Sequence, residues 1–126
     1  MGLQFLDDEA VCDGKRNISI IPAPFAGTVS WKAGTEKGPK AILDASAHLE
    51  NFDDELLVET CRAGIETLSP LRLVDLSVSG ALQVIAQAVT FELDRDRLPV
   101  LIGGEHTITL PAVAACARAY PDLHVV

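Results

Sequence analysis

Two hydrophobic patterns alternate along this chain, one typical of buried strands and the other typical of amphipathic helices. Short apolar runs predict strands at 17–22, 99–102 and 123–126, of which the one at 99–102 is expected to be buried on both faces. Apolar residues at helical spacing predict helices over about 39–50, 77–94 and 109–119. Strands that alternate with helices favour a parallel sheet between helix layers. The pattern therefore predicts a three-layer α/β/α fold with a mainly parallel sheet, in which 123–126 is the last strand.

The longest segment without a periodic pattern is the loop at 23–38, which contains Trp31, the only tryptophan. Loops of this length inside a domain are usually binding loops or lids, and a plain surface loop is the alternative. Two short apolar pieces, 56–58 and 64–65, predict weak strands. The charged run at 94–97 predicts a solvated helix end.

Composition and charge limit the classes of function. The chain has 126 residues, of which 48% are hydrophobic and 22% are charged, so one globular domain with a sizeable core is expected. Its net charge of −8 argues against nucleic acid and against anionic membranes, whose protein partners usually carry a basic patch. A cation or a cationic small molecule suits an acidic protein better.

The cysteines and the first residues of the chain indicate a cytoplasmic protein. Cys12, Cys61 and Cys116 form no C-x-x-C pair, so we expect buried or half-buried thiols of a reducing compartment. The first residues have neither a basic flank nor an apolar core, and no apolar run approaches the length of a membrane span. We therefore expect neither a signal peptide nor a membrane anchor.

The segment with the clearest potential for chemistry follows the apolar run at 99–102. Gly103 and Gly104 end this strand and permit close backbone approaches, and His106 follows two residues later. Ligands of parallel α/β sheets gather at the carboxyl ends of strands. Three interpretations of His106 stay open: a metal ligand, part of an anion site near the next helix, or a hydrogen-bonded structural histidine.

Other residues are weaker candidates. Glu105 would point away from His106 in extended backbone. His48 lies on a predicted helix of aliphatic residues and is expected at the surface, and His124 could face either side of the predicted last strand. The double glycine lacks the third glycine of a dinucleotide-binding loop and the lysine of a Walker loop. Cys116 lies in an alanine-rich helix, which is a packing position.

The segment Gly103-Gly-Glu-His-Thr107 after an apolar strand resembles the first metal-binding motif of the ureohydrolases, the arginase and agmatinase superfamily. Three upstream stretches are similar to the agmatinase branch in order and spacing: PAPFAGTVS at 22–30, GTEKGPKAILDAS at 34–46 and LENFDDE at 49–55. The Gly-Thr-Val-Ser sequence after the first strand is more similar to agmatinase than to arginase. The resemblance extends from about 18 to 126.

The resemblance implies an arginase-like fold and an enzyme that hydrolyses a guanidino compound with two Mn²⁺ ions at the carboxyl edge of the sheet. Such ions lower the pKa of a bridging water, and the resulting hydroxide attacks the guanidinium carbon. With agmatine, the products are urea and putrescine, as in polyamine biosynthesis. His106 matches the histidine that binds one ion, and Glu105 matches an acidic position with a supporting role. The implied partner is a small guanidino substrate, and full-length members usually form homo-oligomers.

One departure from the family concerns the end of the chain. The next family motif, Asp-Ala-His-x-Asp, follows the strand that here begins at Leu123, and the sequence stops before it. The remaining ligands and the main substrate-binding residues are missing with it, so His106 is the single metal ligand expected here and no residue is assigned as catalytic. We therefore expect residues 1–126 to be the N-terminal portion of a single ureohydrolase domain, truncated after the strand at 123–126 and inactive alone.

Two functions of other classes remain as alternatives. The chain could fold alone and bind an anion or a nucleotide at the turn 103–109. It could also be a regulatory fragment that pairs through its open terminal strand with an intact subunit. Within the family, guanidinobutyrate and formiminoglutamate remain as alternative substrates.

Overall fold

The computed structural model describes residues 3–6 and 14–126, and it contains short strands alternating with helices. In chain order the elements are β1 (Ile18–Ala23), α1 (Gly38–Ser46), β2 (Phe52–Asp53), β3 (Val58–Glu59), β4 (Ile65–Thr67), α2 (Val78–Leu93), β5 (Leu98–Gly103) and α3 (Thr109–Ala119). Short 3₁₀ turns lie at Thr35–Lys37, Thr60–Ala63 and His106–Ile108.

The main sheet has three strands in the order β4-β1-β5, and β1 pairs in parallel with both neighbours. The register of β1 with β5 runs from Ile18 opposite Leu98 to Ala23 opposite Gly103. The carboxyl ends of these two strands therefore lie side by side. The loop that leaves β1 begins directly beside the turn that leaves β5.

Helices cover both faces of β1. One buried cluster joins β1 to α2 and α3, and its members include Ile21, Ala23, Ala81, Ile85, Val89 and Ala115. Outside that cluster, α1 packs against β1 and β5 and buries Leu43. Successive strand residues face opposite sides, and all of 19–23 is buried, so β1 is covered from both directions. The expected mainly parallel sheet with helices packed on it is confirmed.

The helices agree with the predicted apolar spacing. α2 and α3 occupy 78–93 and 109–119, within one residue of the predicted ends. The hydroxyl of Ser77 caps α2 by accepting a hydrogen bond from the Gly80 N–H at 3.1 Å. α1 stops at Ser46 and not near 50, because the N–H groups that follow turn back to carbonyls only three residues earlier and tighten the chain into a turn.

β2 and β3 form an antiparallel pair apart from the main sheet. The turn between them is set by Asp53, whose Oδ1 accepts hydrogen bonds from the N–H groups of Glu55 and Leu56 at 3.0 and 2.8 Å. The weak strand predicted at 56–58 lies mostly in this turn, and the one predicted at 64–65 overlaps β4. The pattern of apolar residues did not predict this turn, because it contains no information about the hydrogen bonds from the Asp53 side chain to the backbone.

The predicted last strand at 123–126 is wrong. These residues form irregular, exposed backbone, and they pair with no strand in the part of the chain that the structure describes. An apolar β-branched run becomes a strand only where a neighbouring strand supplies hydrogen bonds and a surface to pack on. Residues 123–126 are therefore not the strand after which the fold was expected to be truncated. They also do not form the terminal strand through which the alternative function would pair with another subunit.

A buried polar cluster lies towards the amino edge of the sheet. Glu92 is 1% exposed, and its carboxylate accepts hydrogen bonds from the Ser19 hydroxyl at 2.5 Å and from the Arg97 guanidinium at 3.3 Å. Arg97 also pairs with Glu66 on β4. The prediction that the charged residues at 94–97 are solvated is therefore wrong for Arg97. A buried carboxylate is stable only with a partner, and Arg97 supplies one.

Cys61 is buried and Cys116 is half-buried, as predicted. Cys12 lies outside the described residues. Over 3–6 and 14–126, no helix is both long enough and apolar enough to cross a lipid bilayer.

Candidate functional site

The loop after β1 and the turn after β5 enclose a cavity at the carboxyl edge of the sheet. The cavity has a volume of about 390 Å³, and it is lined by 28–32 and Thr35 from the loop and by 105–107 from the turn. The two segments are distant in sequence, but the parallel register of β1 and β5 brings their starting points together. The long loop predicted at 23–38 therefore borders the turn that carries His106.

Gly103 and Gly104 allow the loop to lie directly on the turn. A Cβ atom at Gly104 would lie 2.2 Å from the Phe25 carbonyl oxygen and 2.9 Å from the Thr35 carbonyl oxygen. A Cβ atom at Gly103 would lie 1.7 Å from Cδ1 of Ile108, which is buried. The close approaches predicted from the double glycine are confirmed.

Replacing Gly104 by alanine should push the loop away from the turn, because the new methyl group would overlap the Phe25 carbonyl. We expect the free energy of unfolding to fall by about 1–3 kcal/mol, the usual cost of overpacking. Urea unfolding followed by circular dichroism measures this loss. Gly80→Ala is the control, since alanine within α2 should change stability by about 1 kcal/mol or less. A Gly104→Ala variant as stable as the original chain would disprove the close contact.

His106 begins the 3₁₀ turn between β5 and α3, and its side chain is exposed at the cavity. No hydrogen bond or ion pair within the described residues holds its imidazole ring. A structural histidine needs such a partner, so that interpretation has no support here. The Glu105 carboxylate lies in the same lining and disfavours an anion site. The interpretation of His106 as a metal ligand stays a prediction.

Glu105 is tied to the loop by contacts that the sequence pattern did not predict. The Thr28 N–H donates to both carboxylate oxygens of Glu105 at 3.1 Å, and the Thr28 hydroxyl donates to Oε1. The same hydroxyl oxygen lies 2.8 Å from the hydroxyl oxygen of Thr107. Glu105 has extended backbone, and both Glu105 and His106 line the cavity. The expectation that their side chains point in opposite directions stays a prediction.

The remaining candidate ligands do not converge on this cavity. His48 and His124 are exposed, and neither is part of its lining. Within 3–6 and 14–126, no group of three or more His, Cys, Asp or Glu side chains is arranged to hold a metal ion. Mn²⁺ takes about six donors, whereas His106 offers one and Glu105 is hydrogen-bonded to the loop. The described residues therefore do not make a complete manganese site.

The rest of the lining combines an aromatic ring with charges of both signs. Trp31 is 88% exposed and lies at the lip of the cavity, next to Lys32. An indole face and a carboxylate both attract a cation, and the carboxylate also accepts hydrogen bonds from N–H groups of that cation. The positive charge of Lys32 repels a cation and so weakens this attraction. A small cation that carries N–H donors fits Trp31 and Glu105 better than an anion does.

Comparisons with known proteins agree with each other. A sequence model of the arginase family matches residues 16–126. The N(1)-aminopropylagmatine ureohydrolase of Synechocystis sp. is 33% identical over 121 residues, covering 91% of this chain and 40% of that protein. The agmatinase of Bacillus cereus is 30% identical over 109 residues, covering 86% of this chain and 38% of that protein. The chain spans about 40% of the length of these curated relatives.

Solved structures are similar to this chain as well. The arginase from Bacillus subtilis matches with a TM-score of 0.65 at 28% identity, over 82% of this chain and 34% of that one. The agmatine ureohydrolase of Thermoplasma volcanium matches with a TM-score of 0.76 at 23% identity, over 84% of this chain and 36% of that one. At that identity, the second match shows a shared fold.

Proposed function

The chain belongs to the arginase family, and on that premise we propose that its cavity serves the hydrolysis of a guanidino compound in the whole protein. The observation that carries the proposal is the exposed imidazole of His106 at the carboxyl edge of the sheet, beside a cavity whose lining suits a cation. The names of the matching relatives, agmatinase and N(1)-aminopropylagmatine ureohydrolase, support the same chemistry.

The proposed substrate is agmatine, which hydrolysis would convert to urea and putrescine, a step of polyamine biosynthesis. Both relatives are named for agmatine, with or without an aminopropyl group. An aminopropyl-substituted agmatine is the second candidate, because it presents the same kind of nitrogen cation. The Glu105 carboxylate and the Trp31 ring would meet the N–H groups and the charge of either compound.

His106 is the proposed ligand for one ion of a manganese centre. The arginase family is generally manganese-dependent, and a neutral imidazole is a suitable donor for such a metal. When bound, the metal would supply a hydroxide near neutral pH. The described residues do not complete the site, so the other donors would come from elsewhere in the whole protein. We assign no catalytic residue in this chain.

The chain would be the N-terminal portion of a single ureohydrolase domain and inactive by itself. Its span of about 40% of its relatives supports this proposal, as does the single histidine donor at the cavity. The whole protein would be a cytoplasmic homo-oligomer without nucleic acid or membrane partners.

Urea release from agmatine tests the proposal with two proteins. For the purified chain with Mn²⁺, we expect no urea above the buffer blank, since one imidazole cannot hold the metal centre. For a chimera in which this chain replaces the matching segment of the Bacillus cereus agmatinase, we expect manganese-dependent urea release. Circular dichroism and the parent agmatinase are the controls. A folded chimera without activity would rule out the proposed function, and urea from the chain alone would rule out its inactivity.

A further inference from the structure

The hydrogen bonds around Glu105 fix the direction of two hydroxyl protons. A carboxylate only accepts hydrogen bonds, so Thr28 gives its single hydroxyl proton to Glu105. The 2.8 Å contact between the hydroxyl oxygens of Thr28 and Thr107 must then take its proton from Thr107. With that proton committed, Thr107 Oγ1 can only accept a hydrogen bond from a ligand in the cavity that it lines.

The same contacts hold the loop over the cavity. The Thr28 N–H lies 3.1 Å from each carboxylate oxygen of Glu105, so the carboxylate holds the loop by its backbone as well as by a hydroxyl. Trp31 follows Thr28 closely on this loop and lies at the lip of the cavity. Among the described residues, no hydrogen bond of its own holds the Trp31 side chain, which is exposed. Its position therefore depends on how the loop is held.

We propose that Glu105 is the positioning residue of this cavity and that it acts through Thr28. Glu105 holds the loop that carries Trp31, and it leaves Thr107 as an acceptor only, so the cavity selects a ligand that brings only N–H donors. A guanidinium group has five such donors and no acceptor. A neutral ureido group instead presents a carbonyl oxygen that Thr107 cannot satisfy. The inference rests on the proposed function, which supplies the guanidino class of ligand.

The test compares two ligands of similar shape on the 126-residue chain. Agmatine carries the guanidinium group, and N-carbamoylputrescine carries a ureido group in its place. Trp31 is the only tryptophan, so its fluorescence reports binding at this cavity without catalysis. We expect agmatine to shift the Trp31 emission and to bind at least about tenfold more tightly, the effect of one hydrogen bond to a charged group.

Two pairs of variants separate the roles of Thr28 and Glu105. Thr28→Val removes only the hydroxyl and frees the Thr107 proton, so the preference for agmatine should fall below about threefold. Thr28→Ser keeps the hydroxyl and should keep the preference. Glu105→Gln replaces a carboxylate that can only accept hydrogen bonds, so this variant should also lose the preference for agmatine. Glu55→Gln makes the same charge change on an exposed side chain outside the cavity and should keep it.

Loss of the preference in Thr28→Val and Glu105→Gln, with retention in both controls, is the result we expect. The inference is overturned if Thr28→Val and Glu105→Gln keep the preference for agmatine, including the case in which each variant loses the same factor of affinity for both ligands. It is also overturned if millimolar agmatine leaves the Trp31 emission of the folded original chain unchanged. If Glu105→Gln does not fold by circular dichroism, the Thr28 pair decides.

The chimera that tests the proposed function gives an independent result. An active chimera together with an unchanged ligand preference in the variants would remove this inference alone. An inactive, folded chimera together with the expected loss of preference would remove the proposed function alone.

Discussion

Replacing Arg97 by methionine is expected to lower the free energy of unfolding by about 3–5 kcal/mol, the usual effect of removing one partner from a buried ion pair. Arg97 is 12% exposed, and its guanidinium lies 3.3 Å from the carboxylate of Glu92, which is 1% exposed. Methionine fills similar space but leaves that carboxylate with the neutral hydroxyl of Ser19 as its remaining buried partner. Urea unfolding at neutral pH measures the loss.

Arg95→Met is the matched control. Arg95 lies 3.6 Å from the same carboxylate, but it is 46% exposed, so we expect its replacement to cost about 1 kcal/mol or less. A double variant, Glu92→Leu with Arg97→Met, should recover most of the stability because no buried charge is then left unpaired. Equal losses for Arg95→Met and Arg97→Met would show that Arg97 has no special role.

Replacing His106 by asparagine in the chimera is expected to lower manganese-dependent urea release by more than about 100-fold. Loss of a group that only orients a metal ligand already costs about 10–100-fold, and loss of the ligand itself should cost more. The side chain is exposed, so the substitution should change stability by about 0.5 kcal/mol or less. Initial rates of urea formation at saturating Mn²⁺ measure the effect.

His48→Asn and His124→Asn in the same chimera are the controls for this prediction. Both histidines are exposed, and neither lines the cavity, so we expect both variants to keep the rate of the unmodified chimera. A His106→Asn variant with an unchanged rate, or an equal loss in all three variants, would exclude a specific role for His106.

Two helices, α2 and α3, and two parallel strands, β1 and β5, could be predicted from apolar patterns that extended over several turns or a whole strand. α2 and α3 were located within one residue, because apolar residues at helical spacing must share a buried face. The position of the cavity could also be predicted, since Gly103 and Gly104 allow a close approach at the carboxyl end of β5. These are local properties of the chain, and they depend little on distant residues.

The contacts that complete the cavity depend on distant residues and could not be predicted. Thr28 and Glu105 are 77 residues apart, and only the register of β1 with β5 brings them together. The available signal was a polar residue soon after each strand end, Thr28 after β1 and Thr107 after β5. One sequence does not reveal that these residues meet.

The charged run after α2 shows the same limit. Arg95 and Arg97 have the same chemistry and similar neighbours in sequence, but the Arg95 side chain is 46% exposed and the Arg97 side chain only 12%. The choice between them depends on Glu92 in α2 and on Glu66 in β4. A pattern of charges along the chain does not contain that information.

A manganese titration of the chain, followed by proton NMR, tests most directly whether His106 is a metal donor at the carboxyl edge of the sheet. The chain has three histidines, and replacing each by asparagine assigns the ring signals. Bound Mn²⁺ broadens the signals of nearby protons. We predict that the His106 signals broaden at lower Mn²⁺ concentration than those of His48 and His124. Equal broadening of all three rings, or none at His106, would contradict the account.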